Sequence, residues 1–169
     1  LTGSIGDAAA ALKQWQNKQM QSMKLRHRLD RPTARVQAGV AVRDLVHAML
    51  DVSDGLAQDL GHILRASNVG AEIELGRLPV SASLLDFYPE DKERWQLQMA
   101  GGDDYELCFT APASNAFAIE LALAKAGVNA SVIGLIRAEN GLHCLMPNGE
   151  QLVLQSSGYQ HFRDIRHVH

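Results

Sequence analysis

The clearest pattern in the chain is the spacing of Leu56, Leu60, Ile63 and Leu64. It follows i, i+4, i+7 and i+8, the stripe of an amphipathic helix, and Asn68-Val69-Gly70 supplies residues that tolerate a left-handed stop. Val36, Val40, Val42, Leu45, Val46 and Met49 approximate the same period, with Thr33 placed to cap them. An alanine-rich segment from Asp7 to Met20 predicts a further helix after the glycine turn of "LTGSIGD", and two short helices are expected at 82–87 and 90–99. Residues 21–35, polar and basic around Pro32, read as a loop. Period-two alternation predicts strands at 71–75 and 105–110, the latter with Tyr105, Leu107 and Phe109 on one face, and a short apolar strand at 49–52. Residues 114–126 alternate as a strand would, but their interleaved alanines and the closing Gly127 favour a helix. Strands near 130–137, 142–146 and 151–154 are separated by Asn140-Gly141 and Asn148-Gly149, both hairpin signals. Helices and strands mix without regular βαβ alternation and without an internal repeat. The expected class is α+β, a mixed β-sheet covered by α-helices, with residues 1–169 as a single domain.

Composition changes this picture little. At 169 residues, 46% apolar and 21% charged, the chain has ordinary globular make-up. A net charge of −3 offers no basic stripe for nucleic acid. No apolar run approaches the roughly 20 residues of a membrane helix. Cys108 and Cys144 lie far apart in apolar segments and read as buried thiols of a cytoplasmic protein, not as a disulfide. The chain opens on Leu1-Thr2-Gly3 without Met, which suggests a piece of a longer protein.

Two short acidic stretches carry the chemistry. "DVSDG", at 51–55, places two carboxylates and a hydroxyl where an apolar strand gives way to a helix. Ser53 or Asp54 can serve as an ordinary helix cap, but nothing structural requires the charge of Asp51 at a strand end. Hard oxygen ligands in this pattern suit Mg²⁺, which uses one or two carboxylates plus phosphates and water. The helix start behind Gly55 also offers free N–H groups to an anion. "GGDDYEL", at 101–107, is either a solubilised turn or a close backbone approach that brings Asp103 or Asp104 to a ligand. "LTGSIGD" is a weak phosphate-cradle candidate, and the Arg/His cluster at 26–35 is more often a solvated face than an anion site.

Taken in order, "LTGSIGD", "DVSDGLAQDLGHI", "GGDDYELCFTAP" and "GYQHF" resemble the C-terminal half of thiamine-monophosphate kinases, members of the aminoimidazole ribonucleotide synthetase-like superfamily. The likeness runs from residue 1 to Phe162. It implies transfer of the γ-phosphoryl of ATP to thiamine phosphate with Mg²⁺ and no covalent enzyme intermediate. Carried over by motif, Asp51 and Asp54 would bind metal, Ser53 ATP, and Asp103 and Tyr159 the substrate. On this expectation the caps of "DVSDG" double as metal–phosphate ligands. The resemblance further implies an absent N-terminal half that supplies more of the ATP site, further metal-binding acids and a homodimer interface. Two positions depart from the family: Asp103 stands where Glu is usual, and Ala34 where a second proline is usual. The alternatives are another ATP-dependent member of the superfamily and a non-catalytic binding or assembly module that keeps the fold alone.

Overall fold

In the computed structural model, which describes residues 1–154, the chain turns at Gly6 into helix α1 (Asp7–Gln16). It continues through α2 (Met23–Asp30), α3 (Val36–Val42), strand β1 (Ala48–Asp51), α4 (Leu56–Ser67), β2 (Gly70–Glu74), α5 (Ala82–Phe87) and α6 (Asp91–Ala100). Strand β3 (Leu107–Thr110), α7 (Ala116–Lys125), β4 (Gly134–Arg137) and β5 (Gly141–Leu145) complete the order. The fold is mixed α and β, as the pattern predicts, but the strands divide between two small sheets. β1 pairs antiparallel with β3, and β2 lies between antiparallel β4 and parallel β5.

The stripe of α4 is the centre of the main core. Leu56, Leu60, Ile63 and Leu64 are buried against Ala71 and Ile73 of β2, Trp95 and Met99 of α6, and Val52 and Cys108. Each such apolar side chain contributes about 1.5–3 kcal/mol on burial. The β1–β3 pair separates this core from a second one. Leu50 and Cys108 face the main core, whereas Met49, Leu107 and Phe109 pack with Ala38 and Val42 of α3 and Ile119 and Leu123 of α7. A third cluster joins α1, α2 and α5 through Ala10, Ala11, Leu25, Leu84 and Tyr88. Both cysteines are buried free thiols, and burial raises the Cys144 pKa to about 11. No helix among the described residues is long and apolar enough to cross a membrane.

Four expectations are corrected. Residues 21–35 hold helix α2, which Ser22 caps by accepting from the Leu25 N–H and which docks through the buried Leu25. Thr33 does not cap α3: Arg35 occupies the N-cap position with no side-chain bond, and the helix ends at Val42, so Leu45, Val46 and Met49 reach the second core from outside it. Residues 151–154 form only an isolated bridge, Gln151 to Leu145, although Asn148-Gly149 does reverse the chain through a 2.8 Å bond from the Gly149 N–H to the Met146 carbonyl. Asn140-Gly141 is not a hairpin turn, because its flanking strands lie on opposite edges of β2. The connector passes across the end of β2 so closely that a Cβ on Gly70 would sit 2.0 Å from the Glu139 carbonyl oxygen.

Candidate functional site

β1 and β3 are antiparallel neighbours, so the segment leaving β1 and the segment entering β3 meet at one end of the sheet. "DVSDG" and "GGDDYEL", about fifty residues apart, therefore become one structure. The Val52 N–H donates to the Glu106 carbonyl at 2.7 Å, Tyr105 N–H to the Val52 carbonyl at 2.8 Å, and Asp103 N–H to the Ser53 carbonyl at 2.9 Å. Two glycines permit the approach. A Cβ on Gly102 would lie 2.2 Å from the Ser53 carbonyl oxygen, and one on Gly55 would lie 2.9 Å from that of Ala100. Asp103 and Tyr105 both hold left-handed backbone, at φ 65° and 53°, at a cost of about 1–2 kcal/mol each for residues with a Cβ. The kinks set the side chains alternately: Asp103 is exposed, Asp104 buried, Tyr105 half-buried and Glu106 buried.

The start of α4 is satisfied by a residue that the sequence reading missed. Its N-cap is Gly55, at φ 115°, and no side chain caps it. Asp59, one turn into the helix and buried, reaches back so that its Oδ2 accepts from the Ser53 and Asp54 N–H groups, both at 2.9 Å. Burial pushes the Asp59 carboxyl upward, opposed by those two backbone bonds. Neither Ser53 nor Asp54 is thus the cap, which corrects the expectation that caps and ligands are the same groups. Both backbone groups of Ser53 are engaged within the loop, while its hydroxyl lies on the half-buried side chain. The Asp54 carboxylate accepts from Gln58 Nε2 at 3.0 Å. The one sequence signal for Asp59 was an acid in the first helical turn.

Behind the loops lies an ion cluster that was also not anticipated. Glu106 is wholly buried, and its carboxylate accepts from Thr2 Oγ1 at 2.7 Å, Arg28 Nη2 at 3.0 Å, and Arg35 Nε and Nη2 at 2.8 and 2.7 Å. Burial alone would raise its pKa, but the bonds from Arg35, Thr2 and Arg28 outweigh it and hold the group below its ordinary value. Arg28 and Arg35 come from the basic segment around Pro32, so that segment is an internal counter-charge more than a solvated face. Arg28 Nε also stands 3.7 Å from Asp7 Oδ2. The phosphate-cradle candidate is already occupied from within: the Gly6 N–H at the start of α1 donates to Asp104 Oδ2 at 2.7 Å.

Asp51, Ser53, Asp54 and Asp103 are thus brought into one loop pair, Asp51 and Asp103 with exposed side chains. Tyr159 lies outside the described residues. Among the described residues no group of three His, Cys, Asp or Glu side chains converges as a metal site. The close packing of Gly102 gives a direct test of the pairing. Gly102→Ala must displace the Ser53 backbone and is expected to cost about 1–3 kcal/mol, or roughly 3–10 °C in melting temperature. Gly39→Ala, in α3, meets only ordinary contacts at 3.5 Å and should be neutral or slightly stabilising. Equal melting shifts in the two variants would argue against the loop contact.

The family model described as AIR synthase related protein, C-terminal domain, matches residues 1–145. Thiamine-monophosphate kinase of Escherichia coli (strain K12) is 44% identical over 168 residues, covering 96% of this chain and 51% of that one. Among solved structures, thiamine-monophosphate kinase from Stenotrophomonas maltophilia K279a superposes with a TM-score of 0.81 at 39% identity, over 89% of this chain and 49% of that one. AaThiL complexed with AMPPCP and TMP gives a TM-score of 0.75 at 27% identity, over 95% of this chain and 50% of that one. The chain spans about half the length of the curated relatives it matches. Every helix and strand described above, from α1 to the end of β5 at Leu145, falls within the matched residues, and the chain belongs to the AIR synthase related proteins as their C-terminal domain.

Proposed function

We propose that this chain is the C-terminal half of an ATP-dependent kinase that phosphorylates thiamine phosphate to thiamine diphosphate. The observation that carries the reading is the zippering of "DVSDG" against "GGDDYEL", which gathers at one sheet end the loop read as binding phosphate and the loop read as binding substrate. The similarity to thiamine-monophosphate kinases across 96% of the chain supports it, as does the complex of AaThiL with AMPPCP and TMP. Asp51 and Asp54 are read as ligands of Mg²⁺, Ser53 as an ATP contact, and Asp103 and Tyr159 as substrate contacts.

The donor set fits magnesium. Two carboxylates on one short loop are hard oxygen donors of the kind used by an ion that keeps waters and phosphates as its other ligands. Asp51 and Asp54 would hold the ion, which when bound would supply neutralisation of charge on the transferring phosphoryl oxygens. The chain's own contribution is positional. Asp59 fixes the backbone of Ser53 and Asp54 from below, and the Ser53 carbonyl in turn fixes Asp103. Acids of the two loops are therefore set relative to each other before any ligand arrives, as a reaction that depends on positioning requires. Tyr159 would offer an aromatic face to the cationic thiazolium.

The full-length polypeptide, incubated with ATP, Mg²⁺ and thiamine phosphate, is expected to form one thiamine diphosphate for each ATP consumed. The 169-residue chain alone should form none, because two carboxylates and a hydroxyl do not complete an ATP–magnesium site. ATP consumption by the full-length protein without thiamine diphosphate would overturn the assignment.

A further inference from the structure

We propose that Asp104 is a positioning residue for substrate: its buried carboxylate, tied to the first turn of α1, fixes the kinked segment that presents Asp103. The inference rests on the reading of Asp103 as a substrate contact.

Asp104 sits between two left-handed residues, Asp103 and Tyr105, and only the first of the three side chains is exposed. Backbone bonds hold this segment on one side only. The Asp103 and Tyr105 amides reach the Ser53 and Val52 carbonyls, all on the "DVSDG" side. The opposite side is held by the Asp104 side chain, whose Oδ2 accepts from the Gly6 N–H at 2.7 Å. Gly6 is itself left-handed, at φ 93°, and a Cβ there would lie 2.9 Å from Gln98 Cγ. The helix start thus faces the carboxylate with bare backbone. Asp104 is 2% exposed, and its Oδ1 has no hydrogen-bond partner. A carboxylate buried with one oxygen unsatisfied is a costly way to cap a helix, since a hydroxyl or amide would serve. What the carboxylate adds is a stronger, charge-assisted tie to the loop next to Asp103.

The surroundings of Asp104 bear on how that tie responds to pH. Burial raises its pKa to about 7, reinforced by Asp7 on α1 and opposed by the Gly6 and Ala8 amides and by Arg28 on α2. Glu106, two residues on, is held ionised by Arg35, Thr2 and Arg28. Protonation weakens the acceptor at Oδ2, so the loop is held more firmly above neutrality than below it.

The test uses the full-length enzyme with Asp104→Ala and Asp104→Asn, each alone and combined with Asp103→Ala. Asp104→Ala should raise KM for thiamine phosphate by about tenfold, the size of one lost charge-assisted bond, with KM for ATP nearly unchanged. In the Asp103→Ala background the same change should alter KM by less than about twofold, because the contact it positions is already gone. Asp104→Asn, which keeps a neutral acceptor for Gly6 but not the charge, should raise KM by less than Asp104→Ala does, to about the wild-type value at low pH. It should also lose the wild-type rise in KM relative to an Asp104-independent baseline as pH falls from about 8 to 6. Should Asp104→Ala fail to fold, the Asp104→Asn pH comparison decides. Independent, multiplying effects of positions 103 and 104, a lower melting temperature with unchanged KM, or an unaltered pH profile in Asp104→Asn would each overturn the proposal. Absence of thiamine phosphate turnover in the wild type would overturn the functional reading itself, and is distinguishable from these.

Discussion

Glu106→Ala is expected to destabilise the chain by about 3–5 kcal/mol, the cost of leaving buried charge uncompensated. By the usual scaling for this size, the melting temperature should fall by roughly 10 °C. The arginines that lose their partner, Arg28 and Arg35, are only 21% and 20% exposed at the side chain, so water replaces little of what the carboxylate supplied. Thr2 loses the acceptor of its hydroxyl at the same time, although the Leu107 N–H still donates to Thr2 Oγ1 at 2.8 Å and the Thr2 N–H to the Leu107 carbonyl at 3.0 Å. Glu106→Gln keeps the shape and one acceptor and should cost less than half as much. The two variants also separate by pH. The folded-state pKa of Glu106 lies below its ordinary 4.5, so its stabilisation is present above that value and is lost as pH falls through the lower one. Glu106→Gln should therefore melt with a shallower acid limb below about pH 4.5. Asp104 tilts the other way. Burial disfavours its ionised form, so its contribution to the stability of the whole fold is complete below 3.8 and is lost as pH rises through about 7, even though the single bond from the Gly6 N–H is stronger to the ionised carboxylate. Thermal melts across both ranges would decide the matter, and a Glu106→Ala protein melting within two degrees of wild type would show that the cluster contributes little.

Asp51→Asn and Asp54→Asn should each lower turnover of the full-length enzyme by about a hundredfold or more at limiting Mg²⁺, the scale of losing one electrostatic partner of the transition state. The fold should survive both changes. Asp51 is exposed at the end of β1, and Asn preserves its size. The Asp54 N–H would still donate to Asp59, because that bond uses the backbone. The structure also removes the competing explanation for such a loss. If Asp54 were the cap of α4, its replacement would act by fraying the helix, but the cap position is Gly55 and the reaching acid is Asp59. Initial rates over a magnesium titration, with a melting curve for each variant, separate the two effects. Near wild-type rates at low Mg²⁺ would refute the ligand assignment.

How much of this was readable in advance depends on whether the determining partner was local. Helix α4 was legible because its own stripe carries its burial, and Asn68, left-handed at φ 52°, ends it where expected. Helix α5 matches its expected span, 82–87, with Ser81 capping it. Helix α2 was not legible. Met23, Leu25 and Leu29 are its only apolar residues, Met23 is exposed, and what holds the helix includes Glu106, 78 positions from Arg28. The Asn140-Gly141 signal misled for the same reason. It is a local preference, and the strand that displaces the hairpin, β2, lies about seventy residues earlier. In the candidate site, residue types suggested the two loops separately. Their union required the β1–β3 register, and although Asp59, Asp104 and Glu106 lie within the quoted stretches, nothing local told that these acids would be buried beneath the loops.

The pairing of β1 with β3 also sets an order in time. All three backbone bonds that shape the 51–54 segment from outside end on residues 103–106. On a ribosome adding about 5–20 residues per second, the first loop waits several seconds for its partner to be made. During that interval the Asp59 carboxylate is the local hold on the Ser53 and Asp54 backbone, and the bonds from the second loop are still missing. The two loops can join only once β3 emerges, so a nascent chain stopped near residue 100 would carry the acids of the first loop without the second loop to pair with them.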